Sequence, residues 1–81
     1  MSRSFLCYSL GKRIAHLRKT KGMTQLELCV DSGISQSFIC DLEAGRRNPS
    51  VETLERIAVA LGVSLSVLLE GVGSIEQSAH R

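Results

Sequence analysis

Tryptophan is absent from this chain, and it has one tyrosine, two phenylalanines and a single proline, Pro49. A core made from its 81 residues must therefore be aliphatic, and the scarcity of β-branched runs argues against a sheet. Acidic residues are missing from positions 1–22, where Arg3, Lys12, Arg13, Arg18, Lys19 and Lys21 give +6. Basic residues are missing from 23–45, where Glu27, Asp31, Asp41 and Glu43 give −4. The net charge of +2 hides this split. Such asymmetry points to an anionic partner met by particular segments, the alternative being charge solvated on helix backs. No CxxC pair occurs among Cys7, Cys29 and Cys40. With no secretory signal pattern either, a reduced, cytoplasmic setting is expected. No apolar run approaches the ~20 residues of a membrane span. His16, His80 and the cysteines show neither metal-ligand spacing nor a nucleophile–base pairing, and no glycine-rich phosphate loop occurs. The expectation is therefore no enzyme, no metal, no cofactor and no evident small-molecule ligand. At 43% hydrophobic with mean hydropathy +0.09 the chain should fold, as one domain over 1–81.

What is present centres on TQLELCVDSGISQSFICDLE, residues 24–43. Thr24 is a favourable N-cap, and Glu27 three residues on completes a capping box. Met23 and Leu28 have staple spacing around that cap. Gly33 stands where a helix end wants positive φ at little cost. Ser35 can cap a second helix, with Ile34 and Ile39 repeating the staple. Two capped helices separated by Ser32-Gly33-Ile34 make a helix-turn-helix.

Flanking segments read as its support. Ser9 can cap a first helix running to about Lys21, with Leu10, Ile14 and Leu17 on one face and Gly22 as its stop. Residues 1–8 lack a clear pattern. After the polar loop Ala44–Pro49, Ser50 caps a fourth helix whose Leu54, Ile57, Ala58 and Leu61 keep helical spacing to Gly62. Ser64 caps a short fifth helix through Glu70. Residues 71–81 read as a frayed tail, leaving a core of about 9–70. The fold class is all-α, five short helices.

Leu17-Arg18, Gly22-Met23-Thr24-Gln25, Glu27-Leu28, Gly33-Ile34-Ser35, Ile39, Leu42-Glu43, Gly45, Arg47-Asn48-Pro49-Ser50, Leu54, Ile57-Ala58 and Ala60–Val63 stand in one unbroken register. In that register the segment from Leu10 to Leu69 resembles the lambda-repressor/Cro-like helix-turn-helix family, also called XRE. The resemblance implies a DNA-binding transcription regulator whose second motif helix lies in the major groove, N-terminal residues toward the bases. Carried over by position, Gln36 is the chief base reader, since its amide can donate and accept at adenine N6 and N7. Ser37 meets bases or phosphate; Asp41 accepts from cytosine N4 or repels phosphate. Phe38 either meets a thymine methyl, packs over a sugar, or supports the helix from below. Gln25, Thr24 and Ser35, at free helix N-termini, and Arg46 and Arg47, past the recognition helix, are expected on phosphates. Lys12, Arg13 and Lys19 are weaker candidates. Arg18 and Glu43 match a structural ion pair tying the first helix to the third.

Three departures from the family stand out. Leu26 and Val30 replace outer residues that are usually charged. Cys29 replaces an alanine and reads as a small buried hydrophobe, and Cys40 reads as a small residue facing its neighbours. The recognition helix has no Lys or Arg. Leu65, Val67, Leu68 and Leu69 give the fifth helix more apolar groups than a terminal helix needs, and so suggest a homodimer. Such a dimer sets two recognition helices one DNA turn apart on a palindrome. The size and the GRRNPS loop lean toward the controller proteins of restriction–modification systems. The rival is a protein-interaction module, antitoxin or adaptor, using Leu26, Val30 and the fifth helix. A redox-sensing role would rest on Cys7 alone.

Overall fold

The computed structural model describes residues 2–73, with side chains from Phe5 onward. Five helices follow in order: α1 (Ser2–Thr20), α2 (Gln25–Ser32), α3 (Gln36–Glu43), α4 (Val51–Leu61) and α5 (Leu65–Leu68). No strand occurs among the described residues. Helix α1 packs on α3 and α5, while α2 packs on α3 and α4, so α3 is gripped from both sides.

Each helix after the first starts on the hydroxyl that the sequence offers. Thr24, Ser35, Ser50 and Ser64 all have extended backbone and accept from the backbone N–H three residues on. One orphan donor per helix start is thereby satisfied, typically worth about 1 kcal/mol. Gly33 and Gly62 close α2 and α4 in the left-handed conformation.

Helix α1 departs from expectation. Its start is not at Ser9: the helix begins at Ser2 and runs straight through that residue. Cys7 is buried beside Leu10 and Ile14, so the buried stripe extends one helical turn further back than the serine suggested. Ser9 instead accepts a hydrogen bond from the Gly73 N–H at 3.0 Å. That bond holds the turn after α5, and Val72 packs against the core. Residues 71–73 are therefore held rather than frayed; 74–81 lie outside the described residues. Helix α5 is also shorter than expected, with turns from Leu69 onward.

Ile14, Leu28, Ile39, Leu42, Ile57, Leu61 and Leu68 form the fully buried centre. Each contributes roughly 1.5–3 kcal/mol relative to exposure, the main force holding five short helices together. Leu68 thus belongs to the core and cannot offer its side chain to a dimer partner. Leu65 also packs on that core. Only Val67 and Leu69, 39% and 37% exposed, remain of the four residues expected at an interface.

Gly11 sits where α1 crosses α3. A Cβ there would collide with the carbonyl oxygens of Leu42 and Glu43. The closest approach of the two helices therefore requires this glycine, and it sets the position of the C-terminal end of α3.

Candidate nucleic-acid interface

The interface is built from the motif helices outward. At α2, Thr24 Oγ1 accepts from the Glu27 N–H at 3.0 Å while the Thr24 N–H donates to Glu27 Oε1 at 2.8 Å. At the turn, Gly33 has φ 72° and its N–H donates to the Cys29 carbonyl. Arg56 on α4 donates from Nη2 to the Gly33 carbonyl at 3.1 Å, and the Ile34 N–H donates to Ser32 Oγ. The turn is thus fastened to α4 as well as to α2, which fixes the exit direction of α3. Nothing local in the sequence marks Arg56, because its partner lies 23 positions away.

From that turn α3 presents Gln36, Ser37 and Cys40 to solvent while Ile39 and Leu42 enter the core. Gln36 and Cys40 are one turn apart on the same outward face. The expectation that Cys40 faces its neighbours is therefore corrected: its thiol is exposed, Cys29 is half-buried, and Cys7 is the buried one. Among the described residues no hydrogen bond engages the Gln36 side chain, which leaves its amide free for a partner. Ser35 Oγ accepts from the Phe38 N–H at 3.2 Å and lies 3.5 Å from Ser37 Oγ.

A second layer locks the end of α3. Arg18 is 8% exposed. It donates from Nε and Nη2 to the two Glu43 carboxylate oxygens at 2.6 and 2.9 Å, and from Nη1 to the Met23 carbonyl at 2.7 Å. Gln25 donates from Nε2 to Glu43 Oε1 at 2.9 Å. Burial works to raise the Glu43 carboxyl, but the hydrogen bonds from Arg18 and Gln25 and the positive charges of Arg18 and Lys19 outweigh it. The group is held below its ordinary value. The hydrogen bond to Glu43 keeps Arg18 raised against its own burial. One network therefore joins α1, the start of α2 and the end of α3. The Gln25 side-chain amide is thereby committed to Glu43.

The basic side chains divide into two groups. Arg13 donates to the Val67 and Leu68 carbonyls at 2.8 and 3.3 Å and pairs with Glu70 at 3.7 Å. It caps α5, so its guanidinium is not available to phosphate. Arg46 and Arg47 instead fold back onto α3. Arg46 donates to Asp41 Oδ1 from Nη2 at 2.9 Å and from Nε at 3.3 Å. Arg47 lies 3.8 Å from Asp41 Oδ2, with its guanidinium 4.8 Å from the centre of the Phe38 ring. Asp41, expected to meet bases, thus already has two cationic partners. Phe38 is half-buried against the core with Arg47 over it, which favours its supporting role. Lys12, His16 and Lys19 line a shallow groove on α1 that opens beside Glu43.

The arrangement is a capped helix-turn-helix whose second helix keeps one face, with Gln36, Ser37 and Cys40, open to solvent. The helix-turn-helix family profile matches residues 14–68. This chain belongs to the helix-turn-helix family. It is 53% identical over 55 residues to the uncharacterized HTH-type transcriptional regulator y4dJ of Sinorhizobium fredii, covering 68% of this chain and 71% of that one. It is 39% identical over 61 residues to the immunity repressor protein of Bacillus phage phi105, covering 75% of this chain but 42% of the repressor. Among solved structures it is similar to the restriction-modification controller protein C.Esp1396I, a tetramer in complex with its natural 35 base-pair operator. That TM-score is 0.78, with 34% identity over 84% of this chain and 90% of that one. In this helix-turn-helix chain, no helix among the described residues is long and apolar enough to cross a membrane.

Proposed function

We propose that the chain is a sequence-specific DNA-binding transcription regulator of the cytoplasm, acting as a homodimer on a palindromic operator and not as an enzyme. One observation carries this reading: α3 is anchored at both ends, yet holds the Gln36 amide outward and unpartnered. That is the state a base-reading glutamine needs before it meets adenine. Ser37 accompanies Gln36 on bases. Thr24, Gln25 (through its backbone N–H, since its side chain holds Glu43) and Ser35 meet phosphate at the two helix N-termini, and Arg46 and Arg47 do so from the loop. Val67 and Leu69 supply the apolar contact between protomers. Their burial in a dimer offsets the small number of base contacts each subunit can make. The 1–81 chain works as one domain.

The test is a duplex titration. Wild type should bind random duplex with an affinity that falls steeply as salt rises, and an enriched site far more tightly. Binding without salt dependence would contradict the reading. A second reading, a protein-interaction module, draws on Leu26 and Val30, 55% and 70% exposed on the outer face of α2. It would show no salt-sensitive duplex binding at all.

A further inference from the structure

Helix α3 carries no basic residue of its own, and the two cations nearest its outer face, Arg46 and Arg47, are both turned onto Asp41. The contact is not incidental to a chain reversal. The Arg46 N–H donates to the Asp41 carbonyl at 2.8 Å, so the backbone brings the guanidinium back over the same residue whose carboxylate it then meets twice. Arg47 is held from two sides, by the carboxylate and by the Phe38 face. Yet the pairs are open to water: the Arg46, Arg47 and Asp41 side chains are 65%, 50% and 35% exposed. Exposed pairs of this kind are weak and exchangeable. A phosphate oxygen offers either arginine the same charge and acceptor geometry as a carboxylate oxygen.

We propose that Asp41 is a specificity-determining residue, a built-in competitor that occupies Arg46 and Arg47 until phosphates placed by a seated recognition helix displace it. The inference rests on the DNA-binding reading above. Away from an operator, one anion merely replaces another, and the freed Asp41 carboxylate is left near phosphates that repel it. The arginines then stay largely on Asp41 and add little to non-specific attraction. At the operator, Gln36 holds α3 in the groove, and the loop phosphates come into register with both guanidinium groups. The exchange completes there. Asp41 thus lowers random binding more than operator binding, without touching a base.

The test compares wild type, D41N and D41S on the Arg46–Arg47 background and on R46A/R47A. Binding to random duplex and to the selected operator is measured from 50 to 200 mM salt, with a thermal melt for each variant. D41N and D41S should gain about tenfold on random duplex at low salt and about threefold or less on the operator. Their random-duplex salt slope should steepen by about 0.9 for each arginine freed. On R46A/R47A the gain should shrink to the small part that comes from relieving repulsion between Asp41 and phosphate. A gain of equal size on that background would show general repulsion by Asp41 and overturn the proposal. So would a loss of operator affinity with a native melt and an altered base preference, which would make Asp41 a base reader. Absence of duplex binding by wild type at any salt would overturn the DNA-binding reading itself, and this proposal with it.

Discussion

At the scale of single residues, the distinction that matters is between side chains that are free and side chains that are committed. Gln36 is free, and Gln36→Ala should cost about 1–3 kcal/mol at the preferred site while leaving random-duplex binding nearly unchanged. Parallel titrations with selected and scrambled duplexes check this; an equal loss on both would remove Gln36 from base reading. Glu43 is committed, and its depressed carboxyl gives a pH dependence with a definite sign. The folded value lies below the ordinary 4.5, so the stabilisation is fully present above about pH 4.5 and is lost as pH falls through the folded value. Melting temperature should therefore drop on acidification in wild type, and drop less steeply in Glu43→Gln. Arg18→Ala leaves the Glu43 charge half-buried without its bidentate partner and should cost about 3–5 kcal/mol in urea unfolding. A cost below about 1 kcal/mol would mean the pair is merely a surface one.

At the scale of elements, the parts legible in the sequence were those governed by neighbours a few positions away. The caps at Thr24, Ser35, Ser50 and Ser64, the left-handed Gly33 and the apolar spacing of α4 all depend on local chemistry, and each stands where the sequence placed it. Ser9 shows the limit of the same rule. A serine suits a cap, but the Cys7–Leu10–Ile14 stripe continues the helix through it, and tertiary burial prevails over a local preference. Arg13 on the α5 carbonyls and Arg56 on the Gly33 carbonyl are invisible locally because their partners lie 54, 55 and 23 positions away. The Asp41–Arg46 pairing is only five residues long, yet it depends on how the loop after α3 doubles back. Gly11 belongs to this scale too. Gly11→Ala must push α1 away from the α3 carbonyls and should destabilise by about 1–3 kcal/mol or more. Through the end of α3 it should also weaken operator binding. A calorimetric melt at the wild-type temperature would contradict the close approach.

At the scale of the molecule, the basic first third and the acidic middle resolve into different jobs. Arg13 and Arg18 are spent on structure, Lys12 and Lys19 stay on the surface of α1, and Arg46 and Arg47 are the cations nearest the outer face of α3. Of the four acids of 23–45, Glu27 is a cap, Glu43 a lock and Asp41 a counter-charge, while Asp31 lies exposed at the end of α2. The proposed dimer belongs to this scale: if Val67 and Leu69 form its interface, replacing them by glutamate should halve the sedimentation mass at micromolar concentration. Operator affinity should then fall toward that of a single half-site while the melt stays close to wild type, because both side chains are partly exposed. An unchanged mass would move the interface elsewhere, with Leu26 and Val30 the next surface to test.

The most direct measurement is enrichment of bound duplexes from a random library by the purified protein, read by sequencing. The expected motif is an inverted repeat with half-sites centred about 10–10.5 base pairs apart, and an adenine position in each half that is lost when Gln36→Ala is used in place of wild type. Enrichment of no motif, or of one that Gln36→Ala recovers unchanged, would contradict it.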